Sequence, residues 1–199
     1  RKAPASMLLR AMGYQNEEML SFFHDTNTYE FTPEGDIAWH MIPERLRGET
    51  LEFPIVHEGK EIVPSKKRIN PRHIKGLEAS GMKLLVLPEN YLYQKITAKE
   101  IISPETGEVL APCNTELTDA LLMKFRVNGI RTFETLYTND IDRLPIMSLT
   151  LRSDSTRTRQ DALFDIYRVM RPGEPPTKET SEGLFYDLFF NADRYHLSD

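Results

Sequence analysis

The chain has 199 residues, 40% of them hydrophobic and 28% charged, with a net charge of −5. That length supports one domain or two small ones, and the acid excess excludes a chain-wide nucleic-acid footprint. A single cysteine, Cys113, excludes an intrachain disulfide and suits a reducing cytoplasm, and no apolar run has the length of a membrane span or signal peptide.

Residues 1–24 read as two short helices. Pro4 starts the first, Met7, Leu8 and Ala11 follow at helical spacing, and Gly13 supplies a left-handed end. Asn16 is the expected cap of the second, with Glu17 and Glu18 in its first turn and Met19, Leu20, Phe22 and Phe23 as its apolar part.

Residues 25–144 are richer in β-branched residues, Pro and Gly, and read mostly as hairpins. Tyr29–Thr32 and Ile37–Ile42 flank Pro33-Glu-Gly-Asp36, a turn signal. An internal repeat follows. Gly59 aligns with Gly107, Pro64 with Pro112, Ile69 with Leu117, and Gly81 with Gly129, at a constant spacing of 48 residues. Asn70 aligns with Thr118, both good helix caps, and Pro71 and Asp119 then fall at the first helical position. Strands are expected at Lys83–Leu87 and Arg131–Leu136, and hairpin turns near 57–60 and 104–107. The reading is a duplicated hairpin-helix-strand unit, over about 51–88 and 99–136.

Residues 145–199 return to helix. Ala162, Leu163, Ile166, Val169 and Met170 form one apolar stripe, and Leu184, Phe185, Leu188 and Phe189 form another; both are expected to be core. Between them runs Tyr167-Arg-Val-Met-Arg-Pro-Gly-Glu-Pro-Pro-Thr177. Here a helix ends, prolines stiffen a loop, and Thr177 caps a new helix with Glu179 in its first turn. The fold class is α+β: helical segments 1–24 and 145–199, interrupted by a module of β-hairpins and short helices at 25–144.

No catalytic constellation assembles. None of His24, His40, His57, His73 and His196 sits at metal-ligand spacing, and nothing nearby in sequence activates Cys113. Asp140 and Asp142 resemble a metal-binding pair, yet acids after a strand more often make turns or caps. No phosphate-binding glycine loop is present. Lys66, Lys67 and Arg68, with Arg72, His73 and Lys75, form the densest basic cluster. Arg68, Arg72 and Lys75 are spaced for one helical face, which reads as solvated surface or as a docking site for an acidic partner. Arg1, Lys2, Arg10, Arg152, Arg157, Arg159, Arg168 and Arg171 fall in the helical segments. Several sit beside Asp154, Asp161 and Asp165, where local ion pairs compete with any role in binding. Arg171 has no acid four residues away on either side.

The string Tyr167–Thr177, together with Ile42-Pro-Glu-Arg-Leu-Arg-Gly-Glu-Thr50, Leu136-Tyr-Thr-Asn-Asp-Ile-Asp142 and Leu188-Phe-Phe-Asn-Ala-Asp-Arg-Tyr-His-Leu-Ser198, resembles the β subunit of bacterial DNA-directed RNA polymerase. The resemblance runs the whole chain and corresponds to part of the lobe domain with an insertion found in some bacterial lineages. Ala3 stands where leucine is common, and the insertion diverges more than its flanks. Neither chain end carries a start or stop feature, so a piece of a longer cytoplasmic polypeptide is expected. The resemblance implies a parent nucleotidyltransferase whose catalytic Mg²⁺ is held by the β′ subunit, with no catalytic residue or metal in this piece. It implies β′, α and sigma factor as partners, and DNA, mainly the non-template strand and downstream duplex, with Arg171 matching a contact to that single strand. It also implies that the insertion receives secondary-channel regulators of the DksA/TraR kind. Two other readings stand beside it: a free-standing protein-binding regulatory module, and a small hydrolase using Asp140, Asp142 and a histidine.

Overall fold

The computed structural model describes residues 3–138 and 145–191. Its helices are α1 Ala5–Ala11, α2 Asn16–Phe23, α3 Pro71–Ser80, α4 Asp119–Val127, α5 Ile146–Ser153, α6 Arg159–Met170 and α7 Lys178–Phe189. Its strands are β1 Thr26–Phe31, β2 Ile37–His40, β3 Ile55–His57, β4 Lys60–Val63, β5 Leu84–Leu87, β6 Ile101–Ile102, β7 Val109–Ala111 and β8 Thr132–Leu136. The class is α+β. The chain forms two compact units, Arg1–Phe23 with Ile146–Asp199, and His24–Pro145. These limits lie one residue from the boundaries drawn on composition.

In the helical unit, Met7, Ala11, Ala162, Leu163 and Phe185 form the core, with Leu8 and Ile166 packed against it. Beneath it, Ser6 Oγ donates to Asp154 Oδ2 at 2.6 Å, and the Thr156 hydroxyl and amide donate to Asp154 Oδ1 at 2.6 and 2.9 Å. Three donors on one carboxylate offset the cost of burying it. Asn16 is not the cap expected of it. It is the first residue of α2, and its amide oxygen accepts from Arg10 Nη2 at 2.7 Å, because the buried guanidinium needs an acceptor. Glu18 caps instead, accepting from the Gln15 amide at 2.8 Å. The two apolar stripes are also only half core. Val169, Met170 and Phe189 are exposed, as are Phe22 and Phe23: each lies on the same side as a buried or half-buried residue three or four positions earlier, so burial ends before the helix does.

The inserted unit is built on a four-stranded antiparallel sheet, in the order β5-β2-β1-β8. Register puts Phe133, Tyr29, Trp39 and Leu85 in one row across it, all facing the core. The Tyr29 and Phe133 rings stack at 5.3 Å. Ile74 and Leu77 of α3 and Leu122 and Phe125 of α4 enter the same core.

The two halves of this unit repeat the same elements. Asn70 and Thr118 cap α3 and α4 through their side chains, and Gly81 and Gly129 follow with φ of 71° and 68°. Hairpin β3–β4 precedes α3 and hairpin β6–β7 precedes α4. The strands after the helices, β5 and β8, are the two edges of the sheet, each beside one strand of the central β1–β2 hairpin. The equivalence extends further forward than the 51–88 and 99–136 limits. Short 3-10 turns at Pro43–Leu46 and Glu89–Leu92 match. So do the bonds from the Gly48 amide to the Ile69 carbonyl and from the Gln94 amide to the Leu117 carbonyl. The bridges Thr50–Arg68 and Ile96–Glu116 match as well. Leading parts correspond at a spacing of 46 residues and trailing parts at 48, because the second hairpin is two residues longer. A single fixed spacing therefore catches only the trailing half.

Candidate functional site

Arg171 is the C-terminal cap of α6, and its amide still donates to the Tyr167 carbonyl at 2.7 Å. Pro172 and Gly173 then occupy the corner of a tight turn closed by the Glu174 amide on the Arg171 carbonyl at 3.3 Å. Gly173 has φ 87°, the conformation a type II turn requires after proline. Glu174, the nearest acid in sequence, turns away from the arginine: its Oε2 accepts from the Tyr167 hydroxyl at 2.9 Å. Tyr167 is buried, so this bond ties the turn to the helix beneath it. Arg171 is left exposed on a backbone held at three points. The sequence carries no signal for the Tyr167–Glu174 bond, because Glu174 lies past the end of α6 and the bond crosses the turn.

The neighbouring arginines are used differently. Arg10 is buried in the helical unit. Arg157 donates to the carbonyls of Asp154 and Thr156. Arg159 donates to the Ala11 carbonyl at 3.0 Å and approaches Glu182 at 3.5 Å. Arg168 pairs with Asp165 at 2.7 Å. Of these four, only Arg168 pairs with one of the acids near it in sequence; Arg10, Arg157 and Arg159 donate to amide or carbonyl oxygens, while Asp154 and Asp161 are taken up by hydroxyls and backbone amides. A cleft of about 510 Å³ opens next to the turn, lined by Pro4, Met7, Ser153, Asp165, Arg168 and Pro172. Arg171 itself does not line the cleft; the turn reaches it through Pro172.

Arg68, Arg72 and Lys75 are all exposed, but they do not share a helical face. Arg68 precedes the Asn70 cap and bridges to Thr50 as extended chain, because Pro71 fixes the helix start beyond it. Only Arg72 and Lys75 lie on α3. Lys66 approaches Glu52 at 3.8 Å. The basic cluster is thus a loop and a helix start presenting cations together in sequence.

A second polar cluster lies inside the inserted unit. The Tyr91 hydroxyl donates to Glu49 Oε2 at 2.9 Å, and Lys95 Nζ sits 4.5 Å from the Tyr91 ring centre. Arg45 donates to Asn27 Oδ1 at 2.8 Å and lies over the Tyr137 ring. Burial pushes Tyr29 up to about 12, with Glu49 adding to the rise. Burial also raises Tyr91, and it lowers Lys95 against the pull of Glu49. Glu49 and Lys95 occupy equivalent places in the two copies, as do Arg45 and Tyr91. The copies have diverged to opposite charge where they face the same cluster.

Among the described residues no three His, Cys, Asp or Glu side chains come together as a metal site. Asp140 and Asp142 lie outside the described residues, as do His196, Arg1 and Lys2. No described helix is long and apolar enough to cross a membrane. No protein-family model matches the chain.

Proposed function

We propose that the chain is a region of the β subunit of a bacterial DNA-directed RNA polymerase: part of the lobe that borders the DNA channel, carrying an inserted docking module. The observation behind this reading is the Tyr167–Thr177 string, whose chemistry is fully used. Its Pro172 and Gly173 make one rigid turn whose proline lines a cleft, its tyrosine and glutamate lock that turn, and its arginine is left exposed. A planar cation on a fixed base suits phosphate contact or stacking on an unpaired base. The partition of the chain supports the same reading, since one unit interrupts the other and each has its own core. Within the parent enzyme the helical unit contributes one wall of the channel and the non-template strand meets Arg171. The inserted unit receives regulators of the DksA/TraR kind. Nucleotide transfer and its Mg²⁺ belong to other parts of the enzyme.

The test is a polymerase whose β subunit lacks residues 24–145, closed by a short linker. It is expected to assemble and transcribe at its basal level while its response to a secondary-channel factor weakens. A deleted enzyme that keeps its full response contradicts the docking role.

A further inference from the structure

The duplication provides an internal control for charge. Between Pro64 and Gly76 the first copy carries five cations and no acid, while the equivalent stretch of the second, from Pro112 to Lys124, carries one cation and two acids. Both stretches do the same structural work. Each leads from a hairpin into a capped helix that buries two residues in one core. The fold therefore does not call for the cations. Lys67, Arg68, Arg72 and Lys75 correspond to Thr115, Glu116, Ala120 and Met123. Lys66 corresponds to Asn114, and the two have φ of 58° and 62°. Asparagine tolerates this left-handed conformation better than lysine does, so the local backbone selects against the residue present. The cations are also not consumed. In the second copy Lys124 donates to the Leu110 carbonyl and Arg126 pairs with Glu89. In the first, Lys66 only approaches Glu52 at 3.8 Å, with both side chains largely in water. Among the described residues the side chains of Lys67, Arg68, Arg72 and Lys75 form no ion pair, and all four are exposed.

We propose that this surface binds the phosphate backbone of duplex DNA. Its own backbone is already fixed. The Lys66 amide donates to the Leu51 carbonyl at 2.7 Å, Arg68 bridges to Thr50, and the Ile69 amide donates to the Glu49 carbonyl at 2.8 Å. Arg72 and Lys75 follow on one side of α3, three residues apart. A polyanion is favoured over an acidic protein because no large apolar side chain is exposed between residues 57 and 83, and protein interfaces close around an apolar centre. A duplex is favoured over a single strand because the same stretch holds no Phe, Tyr or Trp on which an unpaired base could stack. Contacts to phosphate need neither, only cations on an ordered backbone. That the duplex is DNA rather than RNA rests on the polymerase reading; the surface itself does not. The contact is separate from that of Arg171, which belongs to the other compact unit.

The second copy supplies the substitutions that test this. Lys66→Asn, Lys67→Thr and Arg72→Ala together give the first copy residues that its twin already carries, so folding is preserved, as an unchanged or higher thermal melt verifies. A labelled DNA duplex of about 20 base pairs and mixed sequence is titrated with the complete chain at low and at higher salt, and binding is read by fluorescence anisotropy. Arg131→Gln with Lys178→Gln, two exposed cations elsewhere, is the control. The control is expected to bind within about two-fold of wild type. The triple variant is expected to bind roughly ten-fold or more weakly, with a salt slope shallower by up to about three units. Arg72→Ala alone, at an exposed helix position, is expected to lose about three-fold and serves if the triple variant melts early. Variants that bind as wild type does overturn the surface, as does a wild type without salt-dependent binding. An equal loss in the control means that net charge alone acts, and overturns it too. Poly-glutamate bound more tightly than DNA assigns the patch to an acidic protein, and an RNA duplex of the same length bound more tightly assigns it to RNA; either overturns the DNA assignment. Because the chain alone is measured, failure here leaves the polymerase reading to its own test, the deletion of residues 24–145.

Discussion

At the scale of single residues, Gly81 and Gly129 carry the clearest consequence of the duplication. Each stands after its helix with positive φ, and an added Cβ at either meets no atom within 4 Å. The cost of substitution is therefore backbone strain alone. Gly81→Val and Gly129→Val are each expected to destabilise by about 1–2 kcal/mol, and by similar amounts, in urea unfolding. Tyr29 makes a second prediction. Burial holds its hydroxyl protonated up to about 12, against an ordinary value of 10.0. Its contribution is fully present below the unfolded value and is lost as pH rises through the folded one. Tyr91 acts in the same sense; Lys95, lowered by burial, acts in the opposite sense. Stability is expected to fall from about pH 10 upward, with Tyr29 contributing on the order of 2 kcal/mol, and Tyr29→Phe should make that fall shallower. These residue-level features differ in how legible they were. Capping by Asn70 and Thr118 depends on neighbours in sequence and could be read there. The role of Asn16 depends on Arg10, brought to it by the fold, and was misread.

At the scale of elements, the turn after α6 is the part of the candidate site that sequence reached most closely. Proline positions fix its backbone, so its rigidity was legible. The Tyr167–Glu174 bond was not, because it crosses the turn. Tyr167→Phe removes that bond and should cost about 1 kcal/mol. It should also speed hydrogen exchange at the Glu174 amide, while exchange within α7 stays unchanged. An unaltered Glu174 amide would mean that Pro172 and Gly173 hold the turn unaided. The apolar stripes of α6 and α7 show the converse failure. Periodicity identified both helices, yet it does not say how far along each the buried side continues. Val169, Met170 and Phe189 end up exposed. Likewise the repeat was visible only where its spacing stays constant, and the matched 3-10 turns emerged only from the backbone hydrogen bonds.

For the molecule as a whole, composition alone marked where one texture gives way to another, and the two compact units change over within a residue of those points. What composition did not reveal is the central sheet. β1 and β2 read as a hairpin, but nothing local says that β5 and β8, distant in sequence, complete it on either side. The two cores share no residue. A chain with residues 24–145 replaced by a short flexible linker is therefore expected to keep a cooperative helical melt by circular dichroism; a non-cooperative melt would show that the helical unit depends on the insertion. The function proposed above places the helical unit in a polymerase and Arg171 against DNA. Its most direct test is the lifetime of promoter open complexes, measured over a range of salt concentrations, for the complete polymerase and for its Arg171→Ala variant. The variant is expected to show shorter lifetimes with normal subunit assembly. If the contact is to phosphate, the salt dependence should also be shallower by about one unit of slope at most. Equal lifetimes at every salt concentration would contradict it and reduce Arg171 to a helix cap.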